Sequence, residues 1–361
     1  MDEPCTIELE LVPPFYRQEA NCWTKSIAEL GLGDVMGAPN DSTLALFEEE
    51  LLLGPAHSSH AEIRMGGAGR FSHWNGVLYF STSDNSDPNS NGRSYVARLS
   101  DELYFRQHAD YAISIVDFWL KMLGNPATIA GRRVMEIGPG RDMGTAMILS
   151  AMGAEITVVE KYAQGWVSGF HEQMAGELLR RLEDCNWPLD LDKIRQQLES
   201  HDFGPSIVLV RDGLEDLPTH LDGSFDLSFS HSVLEHLAEP TAAMRALYRA
   251  SSREAVGIHR VDFRDHADFA RPLDFLLLTD EAFENYCPVY RYGYGNRVRA
   301  DGYAAILSDA GFRQTFTPET LVDPAYLQGF VPHLRTCTSR FREVDETSLH
   351  AASGVFRLWK D

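Results

Sequence analysis

The chain has 361 residues, of which 44% are hydrophobic, and its formal net charge is −21. This length and apolar content suffice for about two domains, or one large decorated domain, with a substantial core. The acidic balance argues against general binding to nucleic acid, because such binding depends on Lys and Arg that neutralise phosphates.

The five cysteines are dispersed and form no C-x-x-C pair. This pattern indicates reduced thiols and favours neither a disulfide framework nor a zinc site. The acidic N-terminus lacks a signal segment, and no run approaches the roughly 20 apolar residues that span a bilayer. We therefore expect a cytoplasmic protein that does not associate with membranes.

Residues 1–100 are predicted to form an accessory α/β unit. Helices are expected over 17–31 and 43–53, the second after a helix start at Asn40-Asp41-Ser42. Apolar runs predict strands at 76–81 and 95–99. The turn-rich residues between these strands predict a hairpin with a long polar loop.

From residue 101 to 361 the pattern changes to alternating strands and helices, which predicts a mostly parallel, doubly wound sheet covered on both faces. A long helix comes first, at 104–123. The strands are expected at 133–137, 155–159, 206–210, 225–230, 255–260 and 353–359, and further helices at about 142–152, 170–183, 239–250 and 301–310.

A glycine-rich turn follows the first of these strands. The strand carries Glu136, and the turn carries Gly138 and Gly140. Glycine tolerates positive φ and has no Cβ, so such a turn lets the backbone pass close to a nucleotide-like ligand. Glu160 ends the next apolar run, about 20 residues on, where a carboxylate usually binds ribose hydroxyls. These residues predict an adenosine-containing cofactor.

The same glycine spacing occurs in some NADP-binding folds, but two features favour a different ligand. The charge of Glu136 would oppose a pyrophosphate and suits an ammonium or sulfonium group. A second pair of motifs, Arg211-Asp-Gly-Leu-Glu-Asp-Leu-Pro218 and Gly223-Ser-Phe-Asp-Leu-Ser-Phe-Ser-His231-Ser-Val-Leu-Glu-His-Leu237, lies further along the chain.

With these motifs, residues of about 130–260 resemble the class I S-adenosylmethionine-dependent methyltransferases, in particular the small-molecule group related to ubiquinone-biosynthesis methyltransferases. The resemblance implies a Rossmann-like, seven-stranded, mostly parallel sheet and S-adenosylmethionine as cofactor. It places Glu136 to Gly140 along the methionine and ribose, Glu160 on the ribose hydroxyls, and Asp212 and Gly213 at the adenine edge. Ser230 and His231 end the strand that faces the sulfonium and the substrate.

The glycine run departs from the family pattern at one position. Asp142 stands where the third glycine is usual, and Met143-Gly144 follows it. The turn is therefore expected to be longer or differently bent.

Methyl transfer to an alcohol needs alignment and removal of a proton by a base or a metal ion. The candidate base is His259, then His231, both near carboxyl ends of predicted strands, and Asp262 follows at once. Asp262, Asp265 and His266 could instead form a Mg²⁺ site, or could cap a helix and pair with the neighbouring arginines. Glu235 and His236 offer a second, weaker metal candidate, and no residue is assigned as a metal ligand.

Residues 286–299 contain four Tyr, three Arg and two Gly. Such a composition suits a mobile lid over a polar ligand, within an insertion at about 261–300. A surface loop that pairs with the acidic N-terminal unit is the equal alternative.

The resemblance implies methyl transfer to a hydroxyl, or in second place an amine, of a small polar metabolite or a sugar-containing molecule. Two other classes stay open, a cofactor-binding scaffold or regulator without methyl transfer and an NADP-dependent oxidoreductase. The expected partner is a small-molecule or glycan substrate, neither nucleic acid nor membrane, and homo-oligomerisation stays open.

Overall fold

The computed structural model describes residues 6–30, 33–34, 42–124, 129–265, 271–284 and 295–360. The chain divides into two compact units, one up to His108 and the other from Ala109 onward, so the boundary falls inside a 23-residue helix, Asp101–Leu123. Among these residues, no helix combines the length and the apolar character needed to cross a bilayer.

The N-terminal unit consists mainly of antiparallel strands. Its elements are β1 (Thr6–Leu11), β2 (Tyr16–Glu19), β3 (Cys22–Ser26), β4 (Ala45–Glu48), β5 (Leu51–Leu52), α1 (His60–Gly66), β6 (Phe71–Trp74), β7 (Val77–Phe80) and β8 (Tyr95–Ser100). The strands form two four-stranded sheets in the orders β1-β8-β4-β5 and β2-β3-β7-β6.

The helices predicted at 17–31 and 43–53 are wrong, because β2, β3, β4 and β5 occupy those stretches. Glu48 points inward and accepts a hydrogen bond from the Tyr95 hydroxyl at 2.9 Å, so an acidic residue stands where the strand alternation requires a buried one. Because this inward position is polar, the apolar residues of β4 do not show the alternation that would have predicted a strand. Asn40 and Asp41 lie outside the described residues.

The hairpin predicted between the strands at 76–81 and 95–99 is also wrong. Strand β7 pairs with β3 and β6, whereas β8 pairs with β1 and β4, so the two belong to different sheets.

The second unit has the predicted alternation of strands and helices. Its elements are α2 (Asp101–Leu123), β9 (Arg133–Ile137), α3 (Gly144–Ala151), β10 (Glu155–Val159), α4 (Phe170–Leu182), α5 (Leu191–Ser200), β11 (Ile207–Val210), β12 (Phe225–His231), α6 (Pro240–Ala250), β13 (Ser251–Asp262), α7 (Asp280–Glu284), α8 (Ala300–Ala310), β14 (Arg313–Leu321), α9 (Pro324–Thr336) and β15 (Ala351–Trp359).

Its seven strands are ordered β11-β10-β9-β12-β13-β15-β14, and only β15 runs antiparallel to both of its neighbours. The predicted Rossmann-like, seven-stranded, mostly parallel sheet is confirmed. From β9 the chain proceeds outward to β10 and β11, and then returns to the other side of β9 as β12. This reversal creates a crevice at the carboxyl ends of β9 and β12, which is where ligands bind in open α/β sheets.

The register of the strands determines which side chains share a face. Glu136 lies opposite Phe229, and His231 lies opposite Arg260, on the face covered by α2 and α3. The Trp119 ring of α2 stacks on Phe229 at 4.7 Å. Side chains alternate between faces along a strand. Ser228, Ser230, Gly257 and His259 therefore lie on the opposite face, which α6 and α8 cover.

Candidate active site

The turn after β9 depends on two glycines in the left-handed region, Gly138 at φ +65° and Gly140 at φ +79°. A Cβ on Gly138 would lie 2.7 Å from Cγ2 of Val233, so this glycine lets the chain after β12 pack against the turn. A Cβ on Gly140 would meet nothing within 4 Å. The turn therefore presents open space at Gly140, where a ligand can approach the backbone.

The turn continues past Gly140 through Asp142, the position at which the sequence departs from the family pattern. Met143 adopts φ +57° and precedes α3, which begins at Gly144. The Asp142 carboxylate accepts a hydrogen bond from the Gly144 amide at 2.9 Å. A Cβ on Gly144 would lie 2.4 Å from Cε of Met174 and 2.9 Å from Cβ of Ala112, so this third glycine serves close packing.

Glu136 is buried beneath the start of α3 and accepts a hydrogen bond from the Thr145 hydroxyl. Its Oε2 has no hydrogen-bond partner among the described residues. Burial raises the pKa of Glu136 to about 8, against the opposing effect of the Thr145 hydrogen bond. A cationic ligand beside this carboxyl would favour its ionised form.

Glu160 follows β10 directly, at the same edge of the sheet. Its carboxylate accepts a hydrogen bond from the Tyr162 amide at 3.0 Å, and burial raises its pKa. The amide orients the carboxylate, which has further lone pairs available for hydroxyl donors.

The loop after β11 carries Asp212, which is exposed, and Gly213, which precedes a short 3-10 turn. Arg211 donates from Nε to the Ala163 carbonyl at 3.1 Å and so joins this loop to the loop after β10.

The side chain of Ser230, in contrast, is directed away from the cofactor site, because its hydroxyl is bonded to His259 Nδ1 at 2.8 Å on the face away from Glu136. A contact between Ser230 and a cofactor would have to come from its backbone.

This arrangement fits an adenosyl sulfonium better than a dinucleotide. A pyrophosphate needs free amides and positive potential at the helix start. Here Asp142 already binds the Gly144 amide, and Glu136 lies just beneath the same turn. The Asp142 carboxylate would repel a pyrophosphate, and a cation beside Glu136 would favour the ionised form of that acid.

Residues 185–256, which run from just after the end of α4 into β13, match the family model described as a methyltransferase domain. This match identifies a methyltransferase domain within the second unit. The finer link to the ubiquinone-biosynthesis group stays a prediction.

Two solved structures are similar to this methyltransferase. One is an S-adenosylmethionine dependent methyltransferase from Mesorhizobium loti, at 11% identity, covering 64% of this chain and 92% of that chain, with a TM-score of 0.37. The other is a magnesium protoporphyrin IX methyltransferase from Synechocystis with bound S-adenosylhomocysteine, at 18% identity, 70% and 83% coverage, and a TM-score of 0.35. No curated protein matches the chain.

His259 of the methyltransferase is fully buried between two strands. Ser230 Oγ lies 2.8 Å from its Nδ1, and Ser228 Oγ lies 3.1 Å from its Nε2. The ring lies over Gly257, where a Cβ would be 2.8 Å from Nε2. Burial lowers the pKa of His259 to about 3. Its assignment as the base stays a prediction, although the geometry shows both ring nitrogens occupied.

His231 ends β12 on the face that carries Glu136. Arg260 Nη1 lies 3.0 Å from its Nε2. A guanidinium N–H can only donate, so Nε2 accepts and the neutral ring carries its proton on Nδ1. This Nδ1 is buried without a partner among the described residues. Burial and Arg260 lower the pKa of His231 to about 3, so the ring is neutral at physiological pH.

Asp262 ends β13 on the same face as His231. Both of its carboxylate oxygens bind the Arg264 guanidinium, and its amide donates to Glu235 Oε1 at 3.2 Å. Glu235 is buried and its pKa is raised well above the usual range, mainly by desolvation. The alternative in which Asp262 pairs with a neighbouring arginine is the one observed.

No group of three or more His, Cys, Asp or Glu side chains is placed to hold a metal ion within the described ranges. His266, a member of the suggested Mg²⁺ site, lies outside them.

Residues 285–294 of the suggested lid also lie outside the described residues. The two arginines that follow are buried. Arg297 donates to the carbonyls of Phe275 and Leu278, and Arg299 donates to those of Phe263, Ser348 and Ala351. Arg297 also donates to the Asp280 carboxylate, so the observed hydrogen bonds of both side chains are to other parts of the chain.

Sequence reasoning missed Tyr111 on α2. Its ring lies edge-on to that of His231, with centroids 5.7 Å apart, and nearly half of its surface is exposed. Burial raises the pKa of Tyr111, and the charges of Arg260 and Asp142 act on it as well. The helical period predicted α2 but carried no signal for which residue would reach the site.

We expect Glu160→Ala to weaken binding of S-adenosylhomocysteine by about 1.5–3 kcal/mol for each charged hydrogen bond to ribose that is lost. Titration calorimetry measures this change. The control is Glu155→Ala at the other end of β10, which should leave affinity unchanged. Equal affinities of Glu160→Ala and the unaltered enzyme would contradict the ribose assignment.

Proposed function

We propose that this enzyme transfers a methyl group from S-adenosylmethionine to a hydroxyl oxygen of a small polar metabolite or a sugar-containing molecule. When bound, the cofactor supplies an electrophilic methyl carbon on a sulfonium. A carbon–oxygen bond forms as the carbon–sulfur bond breaks, and the hydroxyl proton leaves for a base. The chain must hold the two partners in line and accept or orient that proton.

The observation that carries the choice of oxygen is the hydrogen-bond donor on His231. Its Nδ1–H is buried without a partner at the carboxyl end of β12. Such an unsatisfied group costs about 1–3 kcal/mol, which an acceptor atom in the bound state would recover. A hydroxyl oxygen has two lone pairs, so it can accept this bond and still attack the methyl carbon, whereas a neutral amine has a single lone pair, which it needs for the attack.

Arg260 supports the same choice. Its guanidinium is about one-third exposed, with its Nε bonded to Glu319 at 2.5 Å and its Nη1 to His231. It keeps His231 in the donor tautomer and adds positive potential that suits an electron-rich, polar acceptor. A sugar hydroxyl or a neighbouring carboxylate meets this requirement.

For the proton we propose Asp262 as the acceptor. Its carboxylate forms an ion pair with Arg264 and lies on the cofactor face, two residues beyond Arg260. His231 is held as a donor, and His259 lies on the other face. Of the three candidates from the sequence, Asp262 is thus the base, His231 is the orienting donor, and His259 is hydrogen-bonded within the core.

We expect Asp262→Asn to lower kcat by about 10²–10⁴, the usual contribution of general base catalysis, with little change in affinity for S-adenosylhomocysteine. Asparagine keeps one oxygen for Arg264. His259→Asn should lower the melting temperature while it preserves turnover per folded molecule. Loss of turnover in folded His259→Asn, with Asp262→Asn active, would return the base role to His259.

The function itself is tested by release of S-adenosylhomocysteine from S-adenosylmethionine across a panel of hydroxyl, amine and carboxylate metabolites. Methylation of a hydroxyl compound supports the proposal, and methylation confined to amines contradicts the choice of oxygen. Cofactor binding without turnover on any acceptor would indicate a scaffold. Binding of NADP in place of S-adenosylhomocysteine would indicate an oxidoreductase.

A further inference from the structure

His171 joins two loops that the sequence separates by about 25 residues. It lies in the first turn of α4 and is almost fully buried. Its Nε2 lies 2.9 Å from the carbonyl oxygen of Arg141, in the glycine-rich turn. Its Nδ1 accepts a hydrogen bond from the Val167 amide at 2.8 Å, in the loop that follows Glu160.

The two partners leave one arrangement of the proton. A backbone amide can only donate and a carbonyl can only accept, so Nδ1 is unprotonated and Nε2 carries the hydrogen. The ring is therefore neutral and both nitrogens are satisfied. Burial lowers the pKa of His171, which agrees with the neutral form.

Packing fixes the ring in this position. The rings of Phe170 and Phe203 meet it edge-on, with centroids 5.2 and 4.9 Å away. The Arg141 guanidinium lies over the Phe170 ring at 4.1 Å, which ties the glycine-rich turn to α4 a second time. The contact between the two loops thus has a defined geometry.

We propose that His171 is a positioning residue for the cofactor, which holds the glycine-rich turn and the loop after Glu160 at the separation that the cofactor requires. The inference rests on the proposed function only in that these two loops bind the cofactor. Arg141 is next to Gly140, where the turn is open to a ligand, and Val167 lies on the segment that starts at Glu160. A change in the distance between these two loops would therefore move both sides of the cofactor site.

The test compares three substitutions in the full-length protein. His171→Phe keeps the ring but removes both hydrogen bonds. His171→Gln can still reach the Arg141 carbonyl, and His171→Asn can still accept from the Val167 amide. We expect calorimetry with S-adenosylhomocysteine to show at least a tenfold higher Kd for His171→Phe and a smaller increase for Gln or Asn. The KM for the methyl acceptor should stay within about twofold.

A second readout separates positioning from general stability. Hydrogen exchange of the amides at 138–142 and 160–169 should accelerate together in His171→Phe. The control is Leu334→Ala, which truncates a side chain in a separate core cluster with Phe330 and should lower the melting temperature without changing the Kd.

A Kd for His171→Phe within twofold of the unaltered protein, or an equal loss in Leu334→Ala, would overturn the proposal. If the unaltered protein itself fails to bind S-adenosylhomocysteine, the cofactor assignment fails instead. In that case, accelerated hydrogen exchange in both loops of His171→Phe would still show that His171 holds the two loops together.

Discussion

Gly140→Ala should lower the affinity for S-adenosylhomocysteine by at least about tenfold, equivalent to about 1.4 kcal/mol, while the protein stays folded. Position 140 is open to solvent, so the added methyl meets no protein atom and instead occupies the space through which a ligand reaches the backbone. The left-handed φ costs roughly 1–2 kcal/mol for alanine. Calorimetry gives the affinity, and urea unfolding gives the free energy of unfolding.

The matched control is Gly138→Ala, which carries the same backbone strain. Its methyl would also overlap Val233 at 2.7 Å, so overpacking adds about 1–3 kcal/mol of destabilisation. Gly138→Ala should therefore have the lower free energy of unfolding of the two variants. Gly140→Ala should lose more cofactor affinity than its loss of stability explains. Full affinity in Gly140→Ala would show that the ligand does not approach this part of the turn.

Glu136→Gln should remove a large part of the pH dependence of stability on the alkaline side of neutral. Because burial raises the pKa of Glu136 to about 8, the folded state favours the neutral acid. That contribution is fully present below the unfolded pKa of about 4.3 and is lost as pH rises through 8. At 1.36 kcal/mol per pKa unit the loss is on the order of 4 kcal/mol, and glutamine, which never ionises, avoids it.

Urea unfolding at pH 5 and pH 9 measures this difference. The buried histidines destabilise both proteins alike as pH falls below about 6.5, so they cancel in the comparison. A stability difference that is the same at both pH values would contradict a buried, neutral Glu136. In the unaltered protein a cationic cofactor should favour ionisation of Glu136 and release protons on binding, which calorimetry in two buffers detects and Glu136→Gln should abolish.

The sheet and the cofactor edge of the site could be predicted because their signals are local. Apolar runs, glycines at fixed offsets and an acid about 20 residues on each reflect one backbone feature. The face of the sheet on which a side chain lies was harder to predict at the strand ends, because a shift of one residue moves a side chain to the opposite face. The sequence placed His231 and His259 together at the carboxyl ends, whereas their register puts them on opposite faces of the sheet.

The N-terminal unit was misjudged for a related reason. Glu48 and Arg93 lie 3.2 Å apart in an ion pair, with Glu48 on an inward position of β4, so the hydrophobic alternation is interrupted where a polar network replaces apolar packing. Strand β14 and helix α9 were missed at the other end of the chain. Strand β14 is an exposed edge strand and lacks the alternation of a half-buried strand. In α9 the apolar residues Leu327, Phe330 and Leu334 do lie at helical spacing, but Pro332 argues against a helix.

His259, which bridges Ser228 and Ser230 across Gly257, should also limit which substitutions related proteins can carry. Because all four positions share one small enclosed volume, a relative that replaces the imidazole with an aliphatic group must also change both hydroxyls, or leave them without partners. Aligned relatives should therefore show substitutions at these four positions occurring jointly, as a signature of how β12 is aligned with β13.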